Sequence, residues 1–341
     1  MQALLAVPYF HQPRGNKVTA ERIAQGLKQH GIVTEIVSST EETAVPNLQD
    51  SDIYHGFHAY RFYGFTKRTG KVMKPYIITI TGTDLNKDLY DPERREEVIH
   101  VLRGAEAVHV FDKKAMDKLL TEVPDLQEKT VVIPQSVAGF PESEAPLTKE
   151  AGTFLFILPA GIREVKNIPA AVHMLKKLRT KYPEIRLWLA GPVIEDEEGN
   201  KVRELVKENE GWLTYLGEIK YEKMGALYTQ GDVVLNTSLA EGQSSALLEA
   251  MLVGLPVLAS NIAGNRSIIS HETTGMLYED EEAFLKYAEK MLTDPSFRME
   301  LSENGKKYVM ENHSPEEEAE KLAAVYKKCK NAKNNKEEGS R

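Results

Sequence analysis

Short apolar runs alternate with amphipathic helical stretches from one end of this chain to the other. That alternation calls for a mostly parallel sheet covered by helices on both faces, an α/β architecture. In the first half the runs predict strands over Ala3–Val7, Val33–Val37, Ile53–His55, Tyr76–Thr81, Ala107–Phe111 and Thr130–Ile133. Helical periodicity fits between them over Val18–His30, Arg94–Leu102 and Lys113–Leu120.

The pattern then breaks. From Phe140 to Gly152 there are two prolines, mostly polar residues and no periodicity, as in an interdomain linker. It restarts with strands expected over Thr153–Leu158, Arg186–Ala190, Leu213–Leu216, Val233–Asn236 and Pro256–Ala259. A chain of 341 residues accommodates two such doubly wound units. The expected division is residues 1–145, 150–312, a helix over 314–330 that returns to the first domain, and a polar, disordered tail over 331–341. Ser314-Pro-Glu-Glu starts that last helix, with serine as cap, proline in the first helical position and Glu317 closing a capping box. Two units of this kind are expected to face each other across a central cleft, with ligands at the carboxyl ends of the strands.

Composition narrows the class. Hydrophobic residues at 41% and charged residues at 28% are those of an ordinary globular chain, and a net charge of −8 argues against a nucleic-acid groove. The single cysteine, Cys329, cannot form an internal disulfide, which suits a reducing, cytoplasmic setting or simply a protein that needs no staple. The apolar N-terminus lacks a basic flank and is broken by Pro8, so it reads as a buried first strand. No apolar run reaches the ~18–20 residues of a membrane span. Phe65-Thr-Lys-Arg-Thr-Gly-Lys-Val-Met-Lys interleaves cations with apolar residues, a pattern open to peripheral membrane contact but also that of a solvated surface.

The stretch from Asn236 to Ser260 carries the chemistry. A strand ends near Asn236, a polar loop holds Glu241 and Gly242, and Gln243 leads into a helix starting near Ser244 or Ser245. Free backbone N–H groups at Ser244, Ser245 and Ala246 would form an anion site at that helix start. Glu249 sits among Ala246, Leu247, Leu248, Ala250 and Met251, and a carboxyl group on so apolar a helix needs a partner. The plain alternative is a loop charge at Glu241 and a solvent-facing Glu249. Upstream, Arg163 and Lys166 follow the strand ending at Leu158, ahead of a helix opened by Asn167 and Pro169. Two cations at a helix start oppose its dipole unless an anion lies there.

These residues resemble glycosyltransferase family 4. Glu241-Gly242, Glu249-Ala-Met and Gly254-Leu-Pro-Val are similar to its donor-site motif, with two glutamates separated by seven residues. Gly161-Ile-Arg-Glu-Val-Lys-Asn resembles a shortened form of its basic segment. Gly191-Pro192, the loop with Glu218 and Ile219, and Asn261-Ile-Ala-Gly-Asn also fit. The resemblance implies a GT-B fold of two Rossmann-like domains and retaining transfer from a nucleoside-diphosphate sugar, a UDP-sugar first, to a small-molecule acceptor. Arg163 and Lys166 would neutralise the diphosphate, Glu249 would bind the ribose diol and Glu241 would contact the sugar. Gly191, Glu218 and Ile219 would line the nucleotide. Gln243-Ser244 departs from the family's usual Phe-Gly.

The first half resembles the family less. Gly15 sits where a glycine-rich loop faces the cleft, and Asp84 follows a strand in Thr81-Gly-Thr-Asp, with Thr81 where a histidine is usual. Asp84 is either catalytic or a turn cap. His58 and Arg61, after the strand Ile53–His55, could reach the cleft, with His58 either catalytic or a structural histidine. Short motifs around these positions are similar to a subgroup that includes selenosugar synthases and the glycosyltransferase 1 domain-containing protein. No Asp-x-Asp ends a strand, and Glu195-Asp-Glu-Glu reads as a solvated loop, so neither metal nor cofactor is expected. A nucleotide-sugar epimerase or phosphorylase, or a binding protein without turnover, are the rival classes.

Overall fold

The computed structural model describes residues 1–12, 15–41 and 48–338, without the side chains from residue 332 onward. Pro13 and Arg14 of the first expected loop and residues 339–341 of the expected tail lie outside the described residues. The chain divides into two compact units, Met1–Ser136 with His313–Arg341, and Val137–Asn312. The division precedes the proline-containing stretch because Phe140 is already packed in the second unit, its ring 5.0 Å from that of Tyr221 and 5.9 Å from that of Tyr228.

In the first unit the order is β1 (Gln2–Val7), α1 (Gly15–Gln29), β2 (Val33–Ser38), β3 (Ile53–Phe57), α2 (Ala59–Thr69), β4 (Tyr76–Thr79), α3 (Thr83–Asn86), α4 (Arg95–Gly104), β5 (Ala107–Val110), α5 (Lys113–Glu122) and β6 (Thr130–Val132). Among the described residues its six strands form one sheet, ordered β2-β1-β3-β4-β5-β6, with every pairing parallel. Alternate residues serve opposite faces, as the strand period requires: Leu4 and Ala6 join one core cluster, and Ala3, Leu5 and Val7 the other. The basic stretch beginning at Phe65 is partly committed to this unit: Phe65 is fully buried, Arg68 donates to the Ser39 carbonyl, and Lys71 donates to Leu48 O.

The second unit runs β7 (Phe154–Pro159), α6 (Ile168–Arg179), β8 (Ile185–Ala190), α7 (Asp196–Glu208), β9 (Leu213–Tyr215), α8 (Tyr221–Tyr228), β10 (Val233–Asn236), α9 (Ser245–Leu252), β11 (Val257–Ser260), α10 (Ala263–Arg266), β12 (Met276–Tyr278), α11 (Glu281–Thr293) and α12 (Pro295–Asn312). Its strands form a six-stranded parallel sheet, ordered β12-β11-β10-β7-β8-β9. Phe154, Phe156 and Leu158 face one core, and Leu155 and Ile157 the other. Asp196, Glu197 and Glu198, expected in a solvated loop, form the first turn of α7, where the positive end of the helix dipole favours acids.

The last helix, α13 (Pro315–Glu338), belongs to the first unit. Its backbone stays helical through most of the tail expected to be disordered, since no glycine or proline interrupts Glu316 to Glu338 and Ala, Glu and Lys dominate. Arg22 forms a two-bond pair with the buried Glu318, at 2.9 and 3.0 Å, and Ser136 donates to the same carboxyl at 2.6 Å. Ser314 Oγ accepts from Glu317 N at 3.3 Å, but the Glu317 carboxyl pairs with Lys321 one turn on, so the capping box is only half made. Buried inside the unit, Tyr326, His55, Thr79, His109 and the Ile133 carbonyl follow one another at 2.6, 2.6, 2.8 and 2.8 Å. A carbonyl only accepts, so His109 Nε2 donates and its Nδ1 accepts from Thr79. Thr79 in turn accepts from His55 Nε2, and His55 Nδ1 accepts from the Tyr326 hydroxyl.

Candidate functional site

In an open parallel sheet, ligands collect at the carboxyl ends of the strands where the strand order reverses. In the second unit that reversal lies between β7 and β10, which pair directly through Val233–Phe156 and Val234–Ile157. The loop after β7 holds Arg163 and Lys166, and the loop after β10 holds Glu241. The two loops are tied together: Thr237 Oγ1 donates to Lys166 O at 2.9 Å and Leu239 N to Val165 O at 2.8 Å.

Lys166 and Glu241 form an ion pair, with side chains only 14% and 11% exposed. Ser238 Oγ donates to the same Glu241 oxygen at 2.8 Å, and Asn236 Nδ2 lies 3.4 Å from it. Burial pushes the Glu241 carboxyl up, but the Lys166 ammonium, the Ser238 hydroxyl and Arg163 together outweigh it and hold the group below the usual carboxylate range. Arg163 is half-buried and makes no ion pair within 4.0 Å among the described residues. Asn167, at φ 48°, occupies the N-cap position of α6 without a side-chain capping bond, and Glu164 N donates to Glu195 at 2.8 Å, which holds the turn carrying both cations.

Asn236 was visible in the sequence only as a strand end, yet it organises the site. Its Oδ1 accepts from Ser238 N at 3.0 Å and from Asn265 Nδ2 at 3.3 Å, and its Nδ2 reaches Ser244 Oγ at 3.2 Å. Asn265 is fully buried and also donates to Ser260 O at 2.9 Å. A Cβ added to Gly264 would stand 1.8 Å from Gly242 O, so the backbone of α10 packs directly on the Glu241–Gly242 turn.

Ser244 is the N-cap residue of α9, and Ser245 and Ala246 open the helix. Gln243 is buried, with Nε2 3.3 Å from Ser267 Oγ. Glu249 is 9% exposed, and its Oε2 accepts from the hydroxyl of the fully buried Tyr228 at 2.9 Å. Tyr228 is a partner the sequence reading missed, because nothing in an apolar helix end marks one tyrosine as a donor to the next helix. Burial, and then Glu249, push the Tyr228 phenol well above its ordinary range, so it stays protonated and donates.

Gly191, at φ 150°, sits between β7 and β9: its N–H donates to Gly217 O at 2.7 Å and its carbonyl accepts from Tyr215 at 2.8 Å. A Cβ there would meet Ala160 O at 2.0 Å. Glu218 is exposed and Ile219 half-buried just beyond.

The first unit reverses its strand order between β1 and β3. Gly15 opens α1 after β1, and His58 follows β3 at φ 76°, a strained setting for a side chain with a Cβ. His58 Nε2 lies 3.4 Å from Asp88 Oδ2, and Asp88 Oδ1 accepts from Arg94 at 2.8 Å. Asp84 is 1% exposed, and its oxygens accept from the backbone N–H groups of Thr81, Gly82, Leu85 and Ala59, which is the work of a turn cap. Among the described residues no group of three or more His, Cys, Asp or Glu is placed to hold a metal ion, and no helix is long and apolar enough to cross a membrane.

Residues 139–308 match the family model described as Glycosyl transferases group 1. The chain is 29% identical over 316 residues to Glycosyltransferase 1 domain-containing protein 1 of Xenopus tropicalis, covering 88% of this chain and 90% of the relative. Among solved structures it is similar to HepE of Anabaena in complex with UDP and glucose, at 15% identity and a TM-score of 0.75, covering 96% of this chain and 100% of that one. It is also similar to sucrose-phosphate synthase from Thermosynechococcus elongatus, at 17% identity and a TM-score of 0.79, covering 96% and 98%. The fold is that of GT-B glycosyltransferases, and within it residues 139–308 are the part similar to the glycosyl transferases group 1 model.

Proposed function

We propose that this chain is a retaining, metal-independent glycosyltransferase that takes a sugar from a nucleoside diphosphate, UDP first, and passes it to a small acceptor. The observation that carries the reading is the cluster of Arg163, Lys166 and Glu241 at the strand reversal of the group 1 domain, beside the start of α9. Support for UDP comes from the similarity to HepE, solved with UDP and glucose.

Departure of the sugar leaves negative charge on the diphosphate. Arg163, Lys166 and the N–H groups at the start of α9 offset that charge, which is the role a divalent cation has elsewhere. The sugar becomes oxocarbenium-like, and Glu241 stands where positive charge develops. The departing phosphate oxygen takes the acceptor's proton on the same face, so the reading needs no protein nucleophile. Glu249 receives the ribose diol. The resemblance of short motifs to those of selenosugar synthases is what supports a small acceptor.

Proton NMR of the first product formed under exhaustive chelation tests the reading. It requires turnover without added metal and an anomeric coupling unchanged from the donor. Turnover restored only by Mg²⁺ or Mn²⁺, or an inverted coupling, contradicts it.

A further inference from the structure

Glu249 poses a problem that its place in the donor site does not solve. It lies on an eight-residue helix whose neighbours Leu247, Leu248, Ala250 and Met251 are all fully buried. A ribose diol is recognised only when the carboxyl oxygens are correctly aimed. Tyr228 supplies one such constraint. It ends α8, is itself fully buried, and donates its hydroxyl to Glu249 Oε2 at 2.9 Å. Its ring is wedged by Phe140, 5.9 Å away, in the cluster that also holds Leu247, Leu248 and Met251. The donor atom is therefore fixed by packing before any nucleotide arrives, which is how preorganisation improves binding.

We propose that Tyr228 is a positioning residue for nucleotide recognition: it locks one oxygen of Glu249 so that the carboxyl group meets the ribose 2′- and 3′-hydroxyls of a nucleoside diphosphate. The inference rests on the donor-site reading above. It assigns Tyr228 no contact with substrate, and all of its effect passes through Glu249. Loss of the hydroxyl should weaken binding only of nucleotides that carry the diol, and only while Glu249 is present.

Calorimetry on the full chain with UDP and with 2′,3′-dideoxyuridine diphosphate separates the possibilities. Tyr228→Phe should raise the dissociation constant for UDP by about three- to tenfold, the scale of one hydrogen bond to a carboxyl group. It should leave that for the dideoxy analogue unchanged. Glu249→Ala should show the same dependence on the diol, and adding Tyr228→Phe to it should cause no further loss. At saturating donor the Tyr228→Phe turnover should stay within about twofold of the parent. Equal weakening of both nucleotides, full additivity with Glu249→Ala, or unchanged UDP binding overturns the proposal. Glu249→Gln keeps an acceptor for the tyrosine. Should Tyr228→Phe not fold, the glutamine variant must still show a loss confined to UDP, and a loss shared by the analogue overturns the assignment. A parent chain that binds no UDP refutes the donor-site reading itself, and this inference with it.

Discussion

Lys166 and Glu241 are ion-paired across two loops that follow different strands, one after β7 and one after β10. The sequence reading gave them separate tasks, the diphosphate for one and the sugar for the other. Under the proposed function the pairing would couple those tasks, because a diphosphate drawing on the Lys166 ammonium would change the field at Glu241.

Because both side chains are largely buried, removing one partner leaves the other without its counter-charge. Lys166→Ala should cost about 3–5 kcal/mol of stability, whereas Lys166→Met combined with Glu241→Gln should cost far less. Urea unfolding of the two variants checks this. A single variant as stable as the parent would show the pair to be unimportant to the loops. In turnover, Lys166→Ala and Arg163→Ala should each lose about 10²–10³-fold.

The two glutamates should separate in kinetics. Glu249→Ala should raise the dissociation constant for UDP at least about tenfold and leave saturated turnover largely intact, since ribose binding is equal in ground and transition states. Glu241→Gln should cut turnover and barely change UDP affinity. The opposite pattern reverses the assignment.

Gly264 should tolerate no side chain. Its Cβ would stand 1.8 Å from Gly242 O and 2.6 Å from Glu241 O, both backbone atoms that cannot swing aside. Gly264→Ala should therefore displace the Glu241 turn and weaken both stability and UDP binding. Normal UDP affinity in this variant would mean the turn can shift without consequence.

Stability should fall between pH 7 and 5. Burial, and then His109, hold the His55 ring well below its usual 6.5, and burial lowers His109 as well. Both are neutral when folded, while the unfolded chain takes up protons below about 6.5, so protons favour the unfolded state as pH drops. The stabilisation is complete above that value and is lost progressively below it. Glu318 and Glu241, held below the usual carboxylate range, add their own loss only at lower pH, near 4.5 and beneath. Urea midpoints at pH 7.5, 6 and 5 should decline, and a flat profile would contradict the neutral-ring assignment. Tyr326→Phe should lower stability by about 1–3 kcal/mol by removing the donor to His55.

Central strands were readable in the sequence because β1, β3 and β7 are buried on both faces, so their apolar runs are continuous. β12, Met276–Tyr278, was not read from the sequence; its register comes from pairing with β11. Arg163, Lys166, Glu241 and Glu249 were legible from charge placed at strand ends and on an apolar helix. Asn236, Asn265 and Tyr228 were not, since amides and a phenol acquire meaning only from partners brought close by the fold. Glu195 is exposed ahead of α7 as expected, but its bond to the backbone of Glu164 spans a sequence distance no periodicity encodes.

Group transfer from a nucleotide sugar at the second unit can be followed directly. The most direct measurement incubates the purified chain with a panel of UDP-, GDP- and ADP-sugars, with and without hydroxyl-bearing acceptors, and follows free nucleoside diphosphate and the fate of the sugar. The account predicts nucleoside diphosphate release from a UDP-sugar, accelerated by an acceptor and abolished in Arg163→Ala with Lys166→Ala. Release without transfer, accompanied by a changed free sugar, or no release from any donor, would contradict it.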